Sequence, residues 1–243
     1  MHSPLIVSFY TKNTFYEREA NNLIESCKKQ GLEYAIVGLE SLGNWKANCG
    51  LKPKFLLDQF LKHQRPLLWL DADAVVLEPL TYFNTCCEDI SFRIEETLKI
   101  DNASRMISST VFVNHTQASF EFLKHWVEYQ AAHPELTDQE AMRDVAYLRF
   151  HHLTIKALPK RYCAIAFASH FIDQKNPAIV QYQASRIYQN LIDNGTESLS
   201  FIDSVSNDQL RDLRNCLVYE DGTYQDVVKS LIQSGLLPSQ EEA

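Results

Sequence analysis

Two aspartates, Asp71 and Asp73, interrupt an otherwise apolar stretch, "PLLWLDADAVVLEPL". Carboxylates in apolar surroundings are costly unless paired, hydrogen-bonded or bound to a cation. Residues two apart in an extended chain share a side, so at the end of an apolar strand both carboxylates can converge on one point. Converging carboxylate oxygens suit a hard divalent cation, Mg²⁺ or Mn²⁺, which can bridge in turn to the oxygens of a diphosphate. No histidine or cysteine falls within the pair, which argues against zinc. By itself the D-x-D tripeptide is weak, because one aspartate capping a turn beside a solvated neighbour accounts for it as well.

The pair needs elements to position it. "PLIVSFY" reads as a buried strand, "YEREANNLIESCKKQG" as a helix with Ala20, Leu23, Ile24 and Cys27 at helical spacing, and "EYAIVGL" as a second strand, which together make a βαβ unit. "KPKFLLDQFLKHQ" reads as a helix with Pro53 in its first turn and Leu57, Phe60 and Leu61 on one face. "PLLWL" is then a continuous apolar strand suited to a central, covered place in a parallel sheet. Ligands collect at the carboxyl ends of such strands, where Asp71 and Asp73 stand. Strands are expected at "ISFRIE", "RMISSTVFVN", "TIKAL" and "AIVQYQA". Helices are expected through Phe122, Leu123, Trp126 and Tyr129 and through "TDQEAMRDVAYL", where Thr137 and Glu140 have capping-box spacing. After Asn190 a linker leads into two amphipathic helices, one carrying Leu210, Leu213 and Leu217, the other Val227, Val228, Leu231 and Ile232.

Composition narrows the function. The formal charge of -8, from 23 basic and 31 acidic side chains, argues against a phosphate-backbone binder and hence against nucleic acid as a partner. No stretch is long and apolar enough to span a bilayer, and the six cysteines lack metal-type spacing, so reduced thiols in a cytoplasmic protein are expected. The sequons at Asn102, Asn114 and Asn194 would matter only in a secreted chain.

The blocks "WKANCGLKPKFLLDQFL", "PLLWLDADAVVLEPL", "MISSTVFVNHTQASFEFLKHW", "TDQEAM", "LPKRYC" and "VQYQASR" succeed one another in an order that resembles the nucleotide-diphospho-sugar transferases of the GT-A fold. The resemblance implies an α/β fold, a Rossmann-like mixed sheet flanked by helices, as a catalytic domain over residues 1–190, with a helical appendage over 191–243. It implies a hexosyltransferase-type glycosyltransferase that takes a nucleotide-sugar donor, expected to be a UDP-sugar, with Mn²⁺ or Mg²⁺ as cofactor. By position, Asp73 is the main metal ligand and Asp71 contacts ribose or metal, while Ser8, Phe9, Tyr10 and Thr11 lie near the base. Ser108 and Ser109 line the sugar pocket, and Asp138 and Gln139 face the donor sugar, where Asp138 binds hydroxyls or acts as a general base. Arg186 would reach the diphosphate. Relatives carry a histidine where Gln181 stands, so Gln181 is expected as the third metal ligand through its neutral carbonyl oxygen.

Several of these residues have plainer readings. Lys52, beside Pro53 at a helix start, suits a phosphate but also reads as a surface lysine; Trp45 reads as core. Asp138 at a helix start is favoured by the helix dipole whatever its function. Glu95 and Glu96 read as a solvated rim, and His151 and His152 as ordinary polar positions. Two other function classes stay open: a haloacid-dehalogenase-type phosphohydrolase with Asp71 as nucleophile and Asp73 as acid/base, and an inactive GT-A-like nucleotide-binding module. The acceptor, a glycan, lipid or protein, is not specified by motifs. The C-terminal helices are open to self-association or to docking at the cytoplasmic face of a membrane.

Overall fold

The computed structural model describes residues 3–148, 152–165, 176–182 and 184. The domain boundary at residue 190, the C-terminal helices, His151 and Arg186 lie outside the described residues. β1 (Leu5–Thr11), α1 (Phe15–Lys29) and β2 (Tyr34–Leu39) form the expected βαβ unit, with β1 and β2 parallel. Thr14 caps α1 by accepting from the Tyr16 N–H, and Gly31 leaves the helix at a φ of 64°, which glycine adopts without strain. A short helix absent from the sequence reading, α2 (Trp45–Cys49), leads into α3 (Lys52–His63).

Next along the chain come β3 (Leu67–Leu70), β4 (Ala74–Val76), β5 (Ile90–Ile94), β6 (Met106–Val113), α4 (Gln117–Ala132), α5 (Asp138–Leu148), β7 (Ile155–Ala157), β8 (Ala164–Ile165) and β9 (Ile179–Gln181). The main sheet runs β2-β1-β3-β6-β5-β7, and β4-β9-β8 form a second, small sheet. β3 is central and fully buried, but it pairs in parallel only with β1; on its other side β6 runs antiparallel. The sheet is therefore mixed. A continuous apolar run reports cover on both faces and says nothing of the direction of the neighbours.

That cover is two-sided. Leu5, Val7, Leu67 and Trp69 pack with Phe55 and Phe60 of α3, Phe122 and Trp126 of α4 and Met142 of α5, whereas Ile6, Leu68 and Leu70 pack against Leu23 and Cys27 of α1 and against Ile179 of the small sheet. Alternation along β1 and β3 thus divides their side chains between two layers of core. On α3 the buried face is Phe55, Leu56, Gln59 and Phe60; of the three expected residues Phe60 is buried and Leu57 packs partly against the core, but Leu61 is exposed. The pattern admits either face, and the approach of α4 decides.

Candidate active site

β1 runs parallel to β3 and continues past its end, and the last residues of β1 and the turn after β3 both line a cleft of about 460 Å³. Asp71 and Asp73 do not sit on a continuing strand. β3 stops at Leu70, and the Ala74 N–H donates to the Asp71 carbonyl (2.9 Å), closing a turn that carries both carboxylates into the cleft. Convergence comes from this turn rather than from strand alternation. The Asp71 N–H donates to the Ser109 carbonyl (3.0 Å), which holds the turn against β6.

Asp71 Oδ1 accepts from the Trp69 indole Nε1 (2.8 Å) and pairs with Lys52 Nζ (2.9 Å). Among the described residues Oδ2 has no hydrogen-bond donor. Asp73 is buried, and its Oδ2 accepts from the Ala184 N–H (2.6 Å). Burial first, then the neighbouring Asp71 carboxylate, push the Asp73 carboxyl up to about 7, against the Ala184 hydrogen bond.

Lys52 is no surface lysine: it lines the cleft with its ammonium buried between Asp71 and Asp138 (2.6 Å), next to Ser108 Oγ (3.2 Å) and 5.1 Å from the Trp69 ring centroid. Burial alone would lower its pKa, but Asp138 and Asp71 outweigh burial and raise it. Asp138 heads α5 as predicted, yet its carboxylate is buried and also accepts from Ser108 Oγ (2.8 Å). The capping box is present, with the Thr137 N–H donating to Glu140 Oε2 (2.8 Å) and the Glu140 N–H to Thr137 Oγ1 (3.3 Å). Gln139 is fixed by accepting from the Ser108 N–H (3.0 Å) and donating to the Ala103 carbonyl (2.8 Å).

Gln181 reaches the same cleft from β9, opposite Ala74. Its Nε2 donates to the Ser109 carbonyl and to Thr110 Oγ1, both at 2.9 Å, which leaves Oε1 buried with no hydrogen-bond partner. A buried carbonyl oxygen without a donor, beside two carboxylates, is a chemical fit to an oxygen-loving divalent cation. Among the described residues no group of three or more His, Cys, Asp or Glu is arranged to hold a metal, and the Gln181 amide oxygen is a further oxygen donor in the same cleft.

Phe9, Tyr10, Thr11, Ser108 and Ser109 also line the cleft. Ser8 does not: it is fully buried, with its hydroxyl unpartnered among the described residues, on the opposite side of β1 from Phe9. Trp45 is no core residue but stands half exposed at the cleft. Glu95 is no solvated rim either, since it is buried and pairs with Arg93 (2.6 Å) and Lys160 (3.3 Å). The sequence reading missed Tyr16, Cys49 and Trp69 in the lining. Trp69 was legible, because an indole two residues before Asp71 can share its side of the chain; Tyr16 and Cys49 arrive through packing of α1 and α2 and leave no local signal.

A mixed sheet in this order, with its cleft at the carboxyl end of β3, is the architecture of the GT-A glycosyltransferases. The chain belongs to the nucleotide-diphospho-sugar transferase family, whose model matches residues 25–189, and is accordingly a transferase enzyme that uses a sugar-nucleotide donor and an acceptor. Among solved structures it is similar to a glycosyltransferase involved in the glycosylation of the major capsid of PBCV-1, at 18% identity and a TM-score of 0.58 over 77% of this chain and 98% of that one. The apo bifunctional glycosyltransferase WbbM aligns at 13% identity and a TM-score of 0.52, over 75% of this chain and 46% of its own. The galactosyltransferase LgtC, in complex with donor and acceptor sugar analogues, aligns at 10% identity and a TM-score of 0.50, over 74% and 87%. These likenesses are of fold. No curated protein matches the sequence. Among the described residues no helix is long and apolar enough to cross a membrane.

Proposed function

We propose that the protein transfers a hexose from a UDP-sugar to a hydroxyl acceptor, with Mn²⁺ or Mg²⁺ at the Asp71–Asp73 turn. The observation that carries this reading is the oxygen-only donor set in the cleft: Asp71 Oδ2, Asp73 and the unpartnered, buried Oε1 of Gln181. Three such protein ligands fall short of the six a hard cation prefers, and diphosphate oxygens and water are the natural complement. A cation bound there stabilises the negative charge that grows on the diphosphate as the sugar–phosphate bond breaks.

The chain's own groups do the rest. Tyr10 and Thr11 lie at the end of β1, where the base and ribose would rest, with Phe9 packed behind them on Phe55 and Trp69. Asp138 and Gln139, locked by Lys52, Ser108 and Ala103, offer fixed acceptors and donors to sugar hydroxyls. Because Lys52 touches Asp71 and Asp138 together, it ties the diphosphate end of the cleft to the sugar end and orders both before substrate arrives. The Asp71 Oδ1 atom is engaged twice, by Lys52 and by Trp69, an arrangement suited to a ligand that keeps its orientation rather than to a nucleophile.

The test is incubation with a panel of nucleotide sugars in Mn²⁺, in Mg²⁺ and in EDTA, measuring released nucleoside diphosphate. Release from a UDP-sugar that needs the cation is the expected result. Binding of UDP–Mn²⁺ with no release from any donor would instead identify a nucleotide-binding module, and cation-dependent hydrolysis of p-nitrophenyl phosphate without nucleotide-sugar turnover would identify a phosphohydrolase.

A further inference from the structure

The sequence contains three tryptophans, and while Trp69 and Trp126 are buried, Trp45 is 49% exposed. Its segment is nonetheless held by several hydrogen bonds. Asn44 caps α2 by accepting from the Ala47 N–H (2.8 Å), Asn48 Oδ1 accepts from the Leu42 N–H (2.7 Å), and Lys46 Nζ donates to the Glu135 carbonyl (2.7 Å) in the loop before α5. The indole itself donates from Nε1 to the Tyr16 hydroxyl (3.2 Å). A large aromatic ring kept in water yet fixed at its edge is preorganised to receive a flat, partly apolar partner.

The position of Trp45 says which partner. Trp45 and Cys49 are one helical turn apart, so they share a face of α2, and both line the cleft. Cys49 is the inner of the two: burial first, then the Asp138 carboxylate, raise its thiol pKa. Trp45 is the exposed, outer one, bonded to Tyr16 of α1 and followed by Lys46, which reaches the Glu135 carbonyl just before Asp138 and α5. The charge of the cleft narrows the chemistry further. Asp71, Asp73, Asp138 and Glu140 line it, and among the described residues Lys52 is the one lysine or arginine that does, already paired with Asp71 and Asp138. An anionic acceptor would meet like charge here, whereas a neutral sugar ring brings a C–H face for the indole and a hydroxyl rim for the carboxylates.

We propose that Trp45 is the acceptor platform and that the acceptor presents a neutral pyranoside, its C–H face on the indole and one hydroxyl turned inward toward Asp138. The inference rests on the transferase reading above. A nucleobase is the competing occupant of the ring, and the test separates the two. In the presence of UDP and Mn²⁺, methyl α-D-glucopyranoside, methyl β-D-galactopyranoside, lactose and, as an anionic control, methyl β-D-glucuronide are titrated while acrylamide quenching of tryptophan emission is followed. Because the other two tryptophans are buried, quenching reports mainly on Trp45. At least one neutral glycoside is expected to shield it and the glucuronide is not. Trp45→Ala should raise KM for the neutral acceptor on the order of tenfold, with Trp45→Phe restoring most of the loss, while the affinity for UDP–Mn²⁺ measured by calorimetry changes less than about twofold. Unshielded Trp45 with every neutral glycoside, or a tenfold loss of UDP affinity in Trp45→Ala, would overturn the assignment. Failure of the wild-type protein to bind UDP–Mn²⁺ at all is seen in the calorimetric arm alone and would count against the donor reading instead.

Discussion

Replacing Lys52 by methionine keeps the stem that packs beside Trp69 but removes the one cation shared by Asp71 and Asp138. Breaking a buried ion pair from one side leaves a charge with no compensation and costs about 3–5 kcal/mol. The Asp71 side chain is 32% exposed and regains water, so most of the loss comes from Asp138, at 8%. Lys52→Met should therefore lose about 3 kcal/mol in urea unfolding, equivalent to roughly 6–12 °C in Tm for a chain of this size. Adding Asp138→Asn to Lys52→Met should recover about 2 kcal/mol of it, since the stranded carboxylate is then gone. The pH dependence has a definite sign. The folded-state pKa of Lys52 lies above its ordinary value of 10.5, so its stabilisation is fully present below 10.5 and is lost only as pH rises through the higher folded value. Titration of Lys52 itself should hence add no pH dependence to the difference between wild type and Lys52→Met from pH 6 to 9. A loss below about 1 kcal/mol, or a double variant no better than the single one, would refute the view that this lysine clamps the two carboxylates.

The same geometry sets other outcomes. Asp138→Asn should lower turnover of the nucleotide sugar at least about tenfold and alter UDP affinity less than about threefold, read by comparing kcat with a calorimetric Kd, if Asp138, paired with Lys52, meets the donor sugar as proposed. Gln181→His should tighten Mn²⁺ binding in the presence of UDP and increase the preference for Mn²⁺ over Mg²⁺, since an imidazole nitrogen suits the transition ion better than an amide oxygen; superimposable Mn²⁺ titrations would remove Gln181 from the site. Glu140, whose pKa is lowered chiefly by the Thr137 N–H, stabilises α5 above its ordinary 4.5, and this contribution fades as pH falls through the lower folded value. Glu140→Gln should cost roughly 0.5–1 kcal/mol at neutral pH and flatten the loss of stability below pH 4.5, checked by unfolding across the acid range.

Much of this architecture is written in local pattern, and the rest is not. The βαβ unit, the capping box of α5 and the apolar run of β3 each arise from periodicities that act within a dozen residues, and each is present. The direction of β6 beside β3, the buried face of α3 and the site of Ser8 depend on which elements pack together, and the sequence pattern left them open or misread them. The same division runs through the site. Asp71, Asp73, Asp138, Gln139 and Gln181 were marked by residue type and order, and all of them line the cleft. That Lys52 joins two of them could not be read, because the pairing spans α3, the β3 turn and α5, which meet only in the folded chain.

The claim at the centre is that the turn after β3 holds a divalent cation together with the diphosphate of the donor. Calorimetric titration of the wild-type protein with UDP, in Mn²⁺ and then in EDTA, tests it most directly when repeated with Asp73→Asn. UDP should bind in Mn²⁺ and lose at least about tenfold in affinity in EDTA, a difference of about 1.4 kcal/mol, while Asp73→Asn unfolds cooperatively yet binds weakly under both conditions. Equal affinity of the wild-type protein with and without the cation would contradict it.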